Sequence, residues 1–244
     1  MNFNLTIRRV LAGVALILGL GAATVAVSQQ TTILGERKEF QPTYGSIENL
    51  TILAYTDIDG WDEAAEFRVS KDGKTAYISN YKGFSILDVS DPTKPVILSR
   101  TSNHPSVQSQ YIDVLDDLLV VNQEGVRDEK VKDWVSGIRM FDIKNPRQPR
   151  EIGFFQTAIA PLRGTHGFWL HQDDKGNKYA FVATQMDGYF NNILIIVDVT
   201  VPEKAREVGR WWYPGQHTAG GEKRPDTWVD DARGLRARLP NLWV

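Results

Sequence analysis

From about residue 50 to residue 215 the chain alternates short apolar runs with clusters of turn-forming residues. One set of runs occupies 76–80, 118–122 and 180–184, and a second occupies 96–99, 151–155 and 207–211. They are rich in β-branched and aromatic residues, which suit a pleated, half-buried surface. Asp, Asn and Gly between them, at 71–74, 116–117 and 173–177, supply hairpin turns because they tolerate left-handed backbone and hydrogen-bond their own main chain. A leading strand is expected ahead of each hairpin, at 51–55, 110–114 and 168–171. Helical periodicity is missing from this span, so the pattern predicts an all-β body of antiparallel sheets.

The pattern is also periodic. Segments 84–92 (FSILDVSDP), 138–146 (IRMFDIKNP) and 194–202 (LIIVDVTVP) align without gaps. Asp88, Asp142 and Asp198 fall 54 and 56 residues apart, and each is followed four residues later by a proline, Pro92, Pro146 or Pro202. Four-stranded units recurring every ~40–55 residues are the signature of a propeller-like array. A tandem immunoglobulin-like array would need about seven strands per ~100 residues. The expectation is therefore about three four-stranded blades, preceded by an N-terminal signal or anchor helix. The spans are 1–28 (signal peptide or membrane anchor), 29–49 (linker), 50–215 (repeats) and 216–244 (irregular tail).

The run Ile86-Leu87-Asp88-Val89-Ser90-Asp91-Pro92 and its two counterparts resemble the LVIVD-repeat proteins over about residues 50–213. The resemblance implies a propeller-like, exported bacterial or archaeal protein, often at the cell envelope. It implies no reaction and transfers no catalytic residue.

At the N-terminus Arg8 and Arg9 precede an uncharged stretch, 10–27, that ends in small residues before Gln29. That order is the n-region, h-region and cleavage site of an export signal, although 18 apolar residues also reach the length at which spanning begins. The reading is an exported chain, periplasmic or envelope-associated, that meets the membrane only through this segment if it is not cleaved. There are 28 basic and 30 acidic residues, so the formal charge of −2 argues against a nucleic-acid partner. The absence of cysteine removes disulfide frameworks, thiol nucleophiles and Cys-ligated metals. Nucleophile-elbow, phosphate-loop and His-Glu-x-x-His motifs are also missing.

Asp88, Asp142 and Asp198 are best explained as turn residues. A carboxylate before a proline accepts main-chain N–H groups at a strand corner, and the proline stops the ladder. His166 stands at the expected entry of an innermost strand, where the other units carry Glu66 and Gln108. These three are the candidate channel-mouth residues. Histidine can ligate metal or move protons near neutral pH, so a divalent metal at His166 is the basis of an alternative enzyme reading, with no cofactor otherwise predicted. His171 is five residues further along the same expected strand and so faces the other way. The connection leading to the repeated aspartate lengthens from 8 residues in the first unit to 20 and 14 in the second and third. Insertions on one face of an array often mark a binding face. The inserted residues Arg127, Trp134, Met186, Tyr189 and Phe190 are the binding candidates, for a protein or glycan partner.

After residue 215 no fourth unit is recognisable, and the tail turns Arg-rich. A closed propeller needs at least about four blades. The sequence thus points to truncation, with completion by self-association or capping by the terminal segments as the competing readings. The functional expectation is an exported binding or scaffold protein.

Overall fold

The computed structural model describes residues 52–56, 58, 60, 64–126, 133–223 and 225. The proposed signal or anchor helix, the linker and Arg127 lie outside these. The described residues form thirteen strands and, as their only helical turn, a 3₁₀ turn at Pro202–Lys204. The body is all-β, in three antiparallel sheets that follow one another along the chain.

The first sheet has the order β1 (Ala64–Val69), β2 (Thr75–Asn80), β3 (Gly83–Asp88) and β4 (Val96–Ser102). The second contains β5 (Val107–Gln108), β6 (Ile112–Leu115), β7 (Leu118–Gly125), β8 (Val135–Asp142) and β9 (Arg150–Ile159); β5 and β6 both pair with β7. The third is β10 (Thr165–Gln172), β11 (Lys178–Gln185), β12 (Asn192–Asp198) and β13 (Arg206–Trp211). One expected strand is misplaced. Residues 52–55 are not in a strand, and β1 takes the leading position because it abuts the turn at 70–75. There Asp72 accepts the N–H of Lys74 and the hydroxyl of Ser70, and Gly73 adopts φ 73°.

Alternation along the strands gives each sheet two apolar faces. Tyr77, Phe84 and Ile86 of the first sheet meet Ile112, Leu119, Val121 and Phe141 of the second. The other face of the second sheet, with Val120, Ile138 and Met140, meets Phe168, Leu170, Val182, Ile193, Ile195 and Val197 of the third. The core is therefore two slabs between stacked sheets, in chain order.

The repeated turn is the joint between sheets. Asp88, Asp142 and Asp198 each accept the N–H of the residue two positions on, from Ser90 (2.9 Å), Lys144 (3.1 Å) and Thr200 (3.1 Å). Asp142 and Asp198 also pair with the arginines opposite them on the next strand, Arg150 (3.2 Å) and Arg206 (3.0 Å). The carbonyl of Pro146 accepts the Ser99 hydroxyl of the first sheet at 2.6 Å. At the next junction the Pro202 carbonyl lies against Gly153, leaving no space for a Cβ. Ser99 and Gly153 both stand eleven residues after their repeat aspartate, so the two junctions use one geometry.

Candidate functional site

The site forms where the leading strands of the second and third sheets begin. β7 runs on past its apolar stretch to Glu124, which is 2% exposed. The segment between β9 and β10 comes back alongside it: Gly125 N–H donates to the Arg163 carbonyl at 2.9 Å, and Gln185 N–H donates to Gly164 O at 3.0 Å. Gly164 has φ 75°, and a Cβ there would strike Ser136. This close passage brings Arg163 and His166 to the buried carboxylate. Arg163 Nη2 lies 3.0 Å and His166 Nδ1 3.3 Å from Glu124 Oε1, while Gln108 Nε2 donates to Glu124 Oε2 at 3.2 Å. A buried carboxylate requires such compensation. Here one guanidinium, one amide and one imidazole share it.

Asn122, fully buried, fixes the strands around this group. Its Oδ1 accepts the N–H groups of Gln110 and Tyr111, both at 2.8 Å, and its Nδ2 donates to the carbonyls of Thr165 (3.2 Å) and His166 (3.3 Å). The side chain thereby bolts the segment between β5 and β6 to the start of β10. The ring of Tyr111 packs edge-on against His166, with centroids 5.8 Å apart.

An open pocket of about 350 Å³ lies over the group, lined by Tyr81, Gln108, Gln110, Arg163 and His166. Tyr81 is 42% exposed. Two of the three expected channel-mouth residues, Gln108 and His166, thus come together. Glu66 goes elsewhere. It pairs with Arg68 at 2.9 Å and accepts the N–H of Ile112 at 3.1 Å. Arg68 reaches on to Asp113 at 3.1 Å, so Glu66 belongs to a polar strut between the first two sheets. Sequence reasoning missed Glu124, Arg163, Asn122 and Tyr81. Glu124 lies within β7 and Arg163 in the short segment between β9 and β10, so neither carried a local signal of their pairing.

The inserted aromatics are seated inward. Trp134 donates its Nε1–H to the Leu162 carbonyl at 2.9 Å and its ring covers Gly125. Met186 and Tyr189 pack against the core of the third sheet. Tyr189 stacks on His217 with centroids 4.7 Å apart and meets Trp212 edge-on at 5.3 Å. Phe190 N–H donates to the Gln216 carbonyl at 2.7 Å, and the side-chain amide of fully buried Gln216 donates to the carbonyls of Phe190 (2.9 Å) and Asn192 (3.0 Å). Residues 216–219, at the start of the expected irregular tail, clasp the 186–192 connection. The acidic turn at 173–177 is self-satisfied, with Asp173 accepting the N–H groups of Lys175 and Asn177 and the amide of Asn177.

With regard to a metal, His166 and Glu124 supply two donors, and among the described residues no group of three His, Asp or Glu side chains is placed to hold an ion. Catalytic metal sites ordinarily use three protein ligands. Among the described residues the pair falls one ligand short of such a site.

Residues 67–102 match the LVIVD repeat model, which places an LVIVD repeat on the first sheet from within β1 through β4. Among solved structures, the chain is similar to the periplasmic gluconolactonase PpgL of Pseudomonas aeruginosa, at 14% identity and a TM-score of 0.32. That match covers 71% of this chain and 61% of the other, so the chain spans less than two thirds of it. No curated protein matches the sequence.

Proposed function

We propose that this LVIVD-repeat chain is an exported binding module, without catalysis of its own, that takes a polar glycan-like ligand in the pocket over Glu124. The observation that carries the reading is the makeup of that pocket. An exposed tyrosine ring stands beside two glutamine amides, an arginine and a histidine, above a carboxylate they hold in place. Aromatic faces and planar hydrogen-bonding groups around a concave surface suit a polyhydroxylated ligand. Among the described residues the Tyr81 hydroxyl and the Gln110 side-chain amide have no protein partner, so both are available to it.

Glu124 serves as a fixed anchor. Because it holds one end of Arg163, His166 and Gln108, those side chains are pre-set before a ligand arrives, which lowers the ordering cost of binding. Export rests on the Arg8-Arg9 and 10–27 pattern, and the compartment that follows is the periplasm or cell envelope. The partners in this reading are envelope glycans or glycosylated proteins, and not nucleic acid.

Calorimetric titration with neutral and acidic oligosaccharides tests the proposal. Tyr81→Ala and Gln110→Ala are each expected to weaken binding at least ~10-fold, in line with loss of one ring or one hydrogen bond to a polar ligand. Binding that survives both substitutions, or no saccharide bound at millimolar concentration, overturns it.

A further inference from the structure

The junction geometry repeats twice inside the molecule and is left half-made at the third sheet. Where the first sheet meets the second, Tyr77, Phe84 and Ile86 are at most 7% exposed; their counterparts in the second sheet, Val120, Ile138 and Met140, are fully buried against the third. The repeat register places Phe181, Leu194 and Ile196 at the same positions in the third sheet. These are only half-buried. Leu98 and Ile152, ten residues after the repeat aspartate, pack across their junctions, whereas Val208 at that position is 43% exposed. Trp211, the counterpart of packed Phe155, is 46% exposed, and Trp169, in register with Asp113, is 38% exposed. Gly209 stands where Ser99 and Gly153 receive a neighbouring turn, and among the described residues its Cβ position meets only Ile196 of its own sheet.

The opposite end of the stack differs. On the outer face of the first sheet Leu87 is 1% exposed and Ser85 and Ala76 are buried, so its centre is already covered, although Phe67 and Val69 at its inner rim are exposed. Docked head to tail, a second copy would set the open face against one whose centre is already buried, whereas two open faces match each other.

We propose that two copies of this chain pair through their third sheets, Trp169, Phe181, Leu194, Ile196, Val208 and Trp211 of each facing the same residues of the other about a two-fold axis. Such an isologous contact is self-complementary and closes at the dimer. Its two tryptophans are the kind of rigid anchor that dominates interface energetics. The Arg210–Glu207 ion pair on β13 supplies polar groups beside the apolar patch.

The native chain has no cysteine, so every cross-link in a single-cysteine variant reports one position. The experiment uses the full chain in mild detergent, with Trp169→Cys, Val208→Cys and Trp211→Cys at the open end. Phe67→Cys and Thr93→Cys probe the other end. Each is treated with a short bismaleimide, because direct disulfides demand Cα separations of about 4.4–6.8 Å that only positions at the axis can meet. The expected result is a covalent dimer from at least one open-end variant, none from Phe67→Cys or Thr93→Cys, and loss of the dimer when Ile196→Glu is added while far-UV circular dichroism stays unchanged. If Ile196→Glu unfolds the chain, Val208→Glu, at an exposed position, replaces it. Failure of all three open-end variants overturns the proposal. So does a hybrid between Val208→Cys and Thr93→Cys chains, which would show head-to-tail docking.

Discussion

Asp113 Oδ2 accepts the main-chain N–H of Leu170 at 2.9 Å, a buried hydrogen bond between the leading strands of the second and third sheets. Its other oxygen takes Arg68 Nε of the first sheet at 3.1 Å. One carboxylate on β6 therefore ties all three sheets together at the positions where their innermost strands run side by side. The two slabs of apolar core supply most of the burial. This polar relay fixes how the sheets are aligned along their strands, because a slip by one residue would part Asp113 from Arg68 Nε and leave the Leu170 N–H without its acceptor.

Asp113→Ala should lower stability by about 1–3 kcal/mol, the cost of leaving the buried Leu170 N–H without its acceptor, while Arg68 keeps Glu66 at 2.9 Å and the Phe67 carbonyl at 3.0 Å. Asp113→Asn, which keeps an oxygen for Leu170, should lose about half as much. Urea unfolding followed by tryptophan fluorescence measures both. A loss below about 0.5 kcal/mol for the alanine variant would show that the relay does not hold the sheets together.

Two glycines at the same repeat position should respond oppositely to alanine. At Gly153 the new methyl runs into the carbonyl of Pro202 and lies 3.1 Å from Met140 Cε. Backbone oxygen cannot retreat as a side chain can, so Gly153→Ala should cost about 1–3 kcal/mol through overpacking. At Gly209 the nearest atom among the described residues is Ile196 Cδ1 at 3.6 Å, an ordinary contact, so Gly209→Ala should be neutral or stabilising. Parallel thermal melts decide it, and equal effects at the two positions would contradict the shared junction geometry.

The repeat was legible because its marker residues have local work to do. An aspartate that binds the N–H two residues on, followed by a proline that ends the ladder, leaves the same imprint at Asp88, Asp142 and Asp198 wherever the turn recurs. Local chemistry also made the hairpins readable. The leading strand of the first sheet was harder, since 52–55 and β1 are both short, and only the tight turn at 70–75 selects β1. The candidate site was half readable. Gln108 and His166 share a position at strand entry, but Glu66, at the corresponding entry, is drawn off by Arg68, a neighbour two residues away. Glu124, Arg163 and Asn122 act across 38 to 44 residues of sequence, where no local pattern reports a contact. The inserted aromatics misled for a related reason: insertion length says that a loop exists, not which way Tyr189 and Trp134 turn.

The repeat aspartates should also shape the response to acid. Hydrogen bonding to the carboxylate depresses all three: the main-chain N–H groups of Ser90 and Lys144 act first on Asp88 and Asp142, and Thr200 acts first on Asp198. A carboxyl depressed on folding contributes stability that is fully present above its unfolded value, about 3.9, and is lost as pH falls through the folded value. Stability should therefore decline below about pH 4. In the triple variant Asp88→Asn, Asp142→Asn, Asp198→Asn the turn acceptors remain but the charge is gone. Its unfolding free energy should fall less steeply between about pH 4 and pH 2 than that of the native chain. Other depressed carboxyls, at Asp72, Asp91, Asp173 and Glu222, leave a residual slope. An unchanged slope would mean that the repeat turns are not coupled to folding through their charge.

Glu124 and Arg163 make the strongest case for a coupled pair, because the glutamate is 2% exposed while the arginine side chain retains 21%. Removing the cation strands a buried carboxylate whose remaining partners are Gln108 and His166, so Arg163→Met should cost about 3–5 kcal/mol. Removing the carboxylate's charge strands no buried ion, because the new amide keeps one acceptor oxygen and Arg163, whose side chain is 21% exposed, can turn toward solvent, so Glu124→Gln should cost less. The double variant Glu124→Gln, Arg163→Met eliminates the unpaired charge and should recover much of the loss, giving a coupling energy of about 1–3 kcal/mol in a double-mutant cycle. Additive losses within about 0.5 kcal/mol would mean that the two side chains act independently. A large coupling would show that the floor of the pocket is held by one shared ion pair.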